Sequence, residues 1–169
     1  MASLFLRPAE TDDEPLLWGM LYEASHAAEQ GTSSPDDLRA VPELARYVDK
    51  WGAEGDLGIV GGASADQLQG AAWIRLFDKE NAGYGYVADD IPELAIATSP
   101  ATRGTGLGTA LLVRLLDDAR TRYDAMSLSV RADNPARRLY SRLGFVEVTG
   151  SEIINRAGTT SLAMLLRFR

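Results

Sequence analysis

Ile96–Leu112 reads IATSPATRGTGLGTALL: a short β-rich run, a tight Arg/Gly turn, and the opening of an amphipathic helix. That helix is predicted over Thr105 to Tyr123, where Leu107, Leu111, Leu112, Leu115, Leu116 and Ala119 recur at helical spacing on one broad face. Gly104, Gly106 and Gly108 carry no side chains, so a ligand can approach the backbone closely. The first amides of a helix lack intrahelical acceptors and sit at its positive end, which suits a pyrophosphate. Arg103 adds a cation able to make two parallel contacts. Two phosphate motifs fail on residues. A dinucleotide loop GxGxxG counted from Gly104 meets Thr109 where the third glycine belongs, and no Gly-Lys-Ser/Thr triplet exists for a nucleotide P-loop.

Working outward, Glu93 to Thr98 reads as the strand before this turn and Ala125 to Val130 as the strand after its helix. A strand–helix–strand unit of this kind should be right-handed and parallel. Leu57 to Ala63 and Gln69 to Phe77 read as an antiparallel hairpin turning near Ser64 to Leu68. Ser3 to Pro8 reads as an opening strand. Thr11 and Glu14 form a capping-box pattern for a helix running towards Glu29, and a second helix is predicted within Pro42 to Trp51. GTSSPDD, Gly31 to Asp37, reads as a mobile loop. Asn134 and Pro135 open a short helix that Gly144 ends. Phe145 to Thr149 and Thr160 to Phe168 read as the last strands. The fold class is α/β with a mixed sheet, and residues 1–169 read as one domain without linker or repeat.

Composition narrows the chemistry. No cysteine is present and His26 is the single histidine, which excludes disulfides, zinc–thiolate sites and cysteine nucleophiles and argues against any metal site. The net charge of -7 disfavours nucleic acid and anionic membranes as partners. The opening MASLFLRPAETDDE lacks the apolar core of a signal peptide and no run approaches a membrane span, so a cytoplasmic protein is expected. No GxSxG elbow or HExxH pair supports a hydrolase.

Arg103-Gly104-Thr105-Gly106-Leu107-Gly108 after a strand, followed one strand later by NPARRLYSRLGFV from Asn134 to Val146, resembles the GNAT superfamily of acyl-CoA-dependent N-acetyltransferases. The first stretch matches that family's Arg/Gln-x-x-Gly-x-Gly/Ala loop. The second matches its Asn, helix-borne Tyr and Gly-Phe signature through Asn134, Tyr140, Gly144 and Phe145. The resemblance spans about Glu93 to Val146. It implies a single-domain fold whose mixed central sheet splays at its two central parallel strands, flanked by about four helices.

It also implies roles. The backbone of Ile96, Ala97 and Thr98 would pair with the pantetheine arm of acetyl-CoA, and Gly104, Thr105, Gly106, Leu107, Gly108 and Thr109, with Arg103, would cradle the pyrophosphate. Asn134 would hold the cofactor from the opposite wall, and Tyr140 would stand beside the thioester sulfur. Independently, the Tyr140 phenol can donate to a departing thiolate; a core tyrosine is the alternative. Glu93 is the candidate base for the amine. Some relatives carry a glutamate in a Leu-Glu-Val-Arg string, but here Leu128-Ser129-Val130-Arg131 puts Ser129 there.

Weaker candidates are Arg137, Arg138 and Arg142 for cofactor phosphate or as a solvated basic face, His26 as a surface or cleft residue, and Asp89 and Asp90 as an acidic attraction for a cationic amine or simply a solvated loop. The loop Gly31 to Asp37 is a candidate lid. Trp18, Trp51 and Trp73 read as core. The expected activity is direct acetyl transfer from acetyl-CoA to a small-molecule primary amine, cationic in one form of the reading. Acetylation of a protein terminus or lysine, and a non-catalytic acyl-CoA-binding domain, stay open, as does a homodimer.

Overall fold

A computed structural model describes residues 3–169; Met1 and Ala2, the start of the stretch read for a signal peptide, lie outside it. The strands are β1 (Phe5–Pro8), β2 (Leu57–Ser64), β3 (Gln67–Arg75), β4 (Glu93–Thr98), β5 (Ala125–Arg131), β6 (Val146–Glu147), β7 (Ile153–Ile154) and β8 (Thr160–Arg167). The α-helices are α1 (Glu14–Ala24), α2 (Pro42–Ala45), α3 (Leu107–Ala119) and α4 (Ala136–Arg142), with several 3-10 turns between. One mixed sheet runs β1-β2-β3-β4-β5-β8-β6, with β7 pairing β8. Among the described residues no helix is long and apolar enough to cross a membrane.

Two apolar layers sandwich the sheet because strand side chains alternate between faces. Ile59, Ala72, Ile74 and Leu94 join the buried face of α3. Val60, Ala71 and Trp73 join Leu17, Trp18 and Leu21 of α1 with Leu38, Tyr47 and Trp51. All three tryptophans are core, as expected. The crossover β4–α3–β5 is parallel, yet its ladder holds only Glu93 against Ser127 and Leu94 against Leu128. Past Leu94 the two strands part, while β4 stays paired with β3 along its whole length. The sheet is splayed between its two parallel strands, as the resemblance implied.

The N-terminal layer departs from the periodicity. The capping box sits one residue earlier: Asp13, not Glu14, accepts from the Glu10 amide at 2.7 Å and grips Arg7 through two bonds of 2.8 and 2.9 Å. α1 stops at Ala24 instead of reaching Glu29. The Gln30 side-chain amide takes the Ser25 carbonyl at 3.0 Å and His26 turns left-handed at φ 54, which ends a helix by meeting its orphan acceptors. The helix predicted within Pro42 to Trp51 shortens to the single turn of α2. There the Arg75 guanidinium takes the carbonyls of Arg46 and Asp49 at 3.1 and 2.7 Å, so a buried cation replaces helical bonds. The loop Gly31 to Asp37 runs into a 3-10 turn, Pro35–Ala40, anchored by fully buried Leu38 and by Arg39 stacked on Trp18.

The Arg7 guanidinium, helped by the Glu10 amide, outweighs burial and pulls the Asp13 carboxyl below its usual range. A depressed carboxyl stabilises the fold above its unfolded pKa, and that support fades as pH falls through the folded value. Losing these charge-assisted bonds costs roughly 2–3 kcal/mol, so Asp13→Ala should lower the melting temperature by about 5–10 °C at pH 7. The gap to wild type should begin to narrow near pH 4 and close as pH falls below the lowered folded value; a gap that does not narrow there would show that the carboxylate charge is not what stabilises.

Candidate active site

The Arg/Gly turn folds as its residues require. Gly104 and Gly106 take φ of 82° and 87°, values an L side chain adopts only at a cost. A Cβ at either would meet nothing within 4 Å, so the space above the turn is open. Thr105 is tied to its own turn: its amide and hydroxyl both donate to the Thr102 carbonyl, at 3.2 and 2.6 Å. The amides of Gly106, Gly108 and Thr109 have no acceptor among the described residues, as befits the first turn of α3. Orphaned amides facing open space beside Arg103 fit a polyphosphate. A cavity of about 360 Å³ lies there, lined by the predicted cofactor residues except Thr105 and Asn134. Arg103 reaches across it to Glu23 of α1 at 3.5 Å.

A second cavity of about 170 Å³ occupies the parting of β4 and β5, and Ile96 and Tyr140 line both. Asn134 lines this one; its Oδ1 caps α4 through the Ala136 amide at 2.9 Å, leaving its NH₂ for a ligand. Tyr140 comes from α4 in the layer of α3. Glu93 shares the register face of Ser127 on the α1 side. The two predicted catalytic side chains therefore reach one cavity from opposite faces of the sheet.

Their environments differ. Burial pushes the Tyr140 phenol up to about 12, and its hydroxyl has no hydrogen-bond partner among the described residues; its ring packs edge-on against Phe145 at 5.9 Å. Glu93 is 3% exposed. Burial raises it to about 7, against the smaller opposing pull of the Tyr47 hydroxyl, the Gly85 amide and the Arg46 guanidinium. Tyr47, itself held neutral by burial and by Glu93, donates to Glu93 Oε2 and accepts from the Tyr84 amide at 2.8 Å. Glu93 Oε1 is buried and unpaired. Gly83 lies against it: a Cβ there would stand 2.3 Å from Oε1. A neutral donor thus orients one oxygen of a carboxyl poised near pH 7, while the other awaits a proton donor.

For several weaker candidates the structure favours one of two open readings. Asp89 and Asp90 line neither cavity; Asp89 instead accepts from the Tyr86 hydroxyl on the surface. Arg137, Arg138 and Arg142 line neither as well, and Arg137 is paired to Glu147. His26 faces the β4–β5 cavity rather than bulk solvent alone. Burial, with Arg131 nearby, lowers its pKa, so it is mostly neutral at pH 7. Tyr47, Tyr84, Gly83 and Arg156 escaped the sequence reading because no local pattern marks them.

The acetyltransferase (GNAT) domain family matches residues 63–168. The chain belongs to the GNAT acetyltransferase family. The match covers the phosphate turn, the parted strands and both Glu93 and Tyr140. The mycothiol acetyltransferase of Kineococcus radiotolerans is 34% identical over 148 residues, covering 85% of this GNAT chain and 43% of the relative. The chain therefore spans less than half of that protein's length. Many solved structures share the fold. The ribosomal-protein-alanine N-acetyltransferase of Brucella melitensis superposes with TM-score 0.67 at 20% identity, over 97% of this chain and 99% of its own. A putative acetyltransferase of Salmonella typhimurium, solved with its cofactor acetyl-CoA, gives 0.65 at 21% over 99% and 95%.

Proposed function

We propose that residues 1–169 act as one acetyl-CoA-dependent N-acetyltransferase domain that acetylates a small primary amine by direct attack. The observation that carries this reading is the single cavity between the parted strands into which Glu93 and Tyr140 both open. When bound, acetyl-CoA supplies the acetyl group as an activated thioester. The unpaired amides of Gly106, Gly108 and Thr109, with Arg103, hold its pyrophosphate, and the free β4 edge at Ile96 to Thr98 accepts the arm as an added strand.

An alkyl ammonium has a pKa near 10 and must lose a proton before its nitrogen can attack. Glu93 Oε1 takes that proton, directly or through water, and Tyr47 holds the carboxylate still meanwhile. As the nitrogen–carbon bond forms and the carbon–sulfur bond breaks, the Tyr140 hydroxyl gives its proton to the departing thiolate and regains one, through water, from the second proton that the nitrogen sheds on becoming an amide. Its pKa of about 12 keeps it protonated throughout the working range. Without a cysteine in the chain, no acetyl-thioenzyme intervenes.

The test follows thiol release with acetyl-CoA and a panel of amines, wild type beside Tyr140→Phe. The variant should bind acetyl-CoA as wild type does and turn over about tenfold more slowly, below the usual range for acid–base groups, because a thiolate leaves without much help. Equal turnover would remove Tyr140 from the chemistry. Binding of acetyl-CoA without thiol release for any small amine would remove the small-amine reading and leave a protein acceptor or a cofactor-binding module.

A further inference from the structure

The ionisable side chains that line the β4–β5 cavity contradict the charge of the protein as a whole. The chain carries -7, yet the cavity wall holds Arg131, Arg156, His26 and the half-titrated Glu93. Arg131 bonds Glu29 through Nη1 at 3.1 Å. Arg156 gives Nε to Gln30 Oε1 at 2.9 Å and Nη1 to Glu43 Oε1 at 2.5 Å. Those glutamates stand outside the cavity, 61% and 45% exposed. Among the described residues Arg131 Nε and Nη2 and Arg156 Nη2 have no partner, so each guanidinium keeps donors for something within.

The two cations serve different ends. Arg131 neighbours His26, which also feels Arg103 of the phosphate turn. Arg156 acts with Glu43 and Arg46 on Tyr84, whose amide holds Tyr47 and through it Glu93. Arg156, Tyr84, Tyr47 and Glu93 all line this one cavity. The Arg156 backbone is fixed by a tight turn. Asn155 donates to Thr159 and Ser161 at 2.9 and 2.8 Å and accepts from the Ala157 amide at 3.0 Å, leaving Asn155 nothing for a ligand.

We propose that the acceptor is an amine that also carries a carboxylate, and that Arg156 binds this carboxylate while Glu93 faces the amine. This rests on the acetyltransferase reading and narrows it. A carboxylate matches the planar fork of a guanidinium, and Arg156, held through Nη1 by Glu43 outside the cavity, keeps Nη2 for it. An acceptor with a second cation would instead meet two guanidiniums, and the acidic residues that favoured it, Asp89 and Asp90, lie elsewhere.

Matched pairs test this: α-amino acids against their own carboxamides, together with spermidine, each titrated calorimetrically into the protein with coenzyme A and assayed for thiol release with acetyl-CoA. At least one carboxylate form should exceed its carboxamide by roughly 10- to 100-fold in affinity and in kcat/KM, the range for a hydrogen bond to a charged group. Arg156→Gln should bring that ratio to within about threefold, Arg156→Lys should keep part of it, and Glu43→Gln should raise carboxylate affinity by freeing the fork. A preference for carboxamides or spermidine throughout overturns the proposal and leaves the acetyltransferase reading standing. So does an Arg156→Gln variant that melts lower but keeps the ratio, which would make Arg156 a staple between the β7–β8 turn and α2. Failure to bind acetyl-CoA would remove the acetyltransferase reading, and this proposal with it.

Discussion

Glu93→Gln should lower kcat/KM for an amine acceptor by roughly 10²–10⁴-fold at pH 7, the span typical of a lost general base. The pH dependence is the sharper readout. Wild-type rate should rise with pH through about 7, where Glu93 loses its proton, and then level off. The variant can use only the small fraction of amine that is already neutral, so its rate should climb tenfold per pH unit towards the amine's own pKa near 10. The ratio of the two should be constant below pH 7 and shrink above it. Parallel profiles, or rates within threefold at pH 7, would end the role of Glu93 as base.

The same carboxyl makes a second mark, independent of turnover. Its native pKa is raised from 4.5 to about 7, so the native state holds the proton more tightly than the unfolded chain does. The stabilising contribution is complete below the unfolded value and is lost as pH rises to about 7. A shift of this size corresponds to on the order of 3 kcal/mol for a fully buried group. Glutamine has no such charge to bury. The stability of Glu93→Gln relative to wild type should therefore improve between pH 5 and pH 8.

Much of this site was legible because its parts are local. Glu93–Thr98 forms β4 with the bounds its sequence suggests, and α3 buries the face that its leucines mark. The turn between them stands out by three glycines and an arginine. What was not legible depends on chain segments meeting from afar. Tyr47 touches Glu93 across 46 positions, and it lies where helical periodicity predicted a longer helix. That helix was overridden by Arg75, whose guanidinium claims its carbonyls from the neighbouring strand. Arg156 sits on a turn of Asn, Arg, Ala, Gly and Thr that reads as solvent-exposed, and only the pairing of β7 with β8 brings it to the cavity. The acidic run at Asp89 and Asp90 misled for the converse reason: nearness to Glu93 in sequence did not place those side chains on the same wall.

Acetyl-CoA at about a hundred times its dissociation constant should stabilise the fold by roughly 2.7 kcal/mol, a rise of about 5–10 °C in melting temperature for a domain of this size. Gly106→Asp should abolish that rise. The space above Gly106 is open, so the new side chain meets no steric barrier. It would fill the volume above the unpaired amides and set a carboxylate against the pyrophosphate those amides are placed to bind. Two effects must be separated, because φ at Gly106 is 87° and any side chain there costs about 1–2 kcal/mol of backbone strain. Gly106→Ala carries the strain without the charge. It should lower the melting temperature of the free protein much as the aspartate does, yet keep a measurable rise with acetyl-CoA. If alanine and aspartate lose the rise alike, the φ of the turn rather than its charge governs binding. If the aspartate keeps the full wild-type rise, the amides of Gly106, Gly108 and Thr109 do not hold the pyrophosphate.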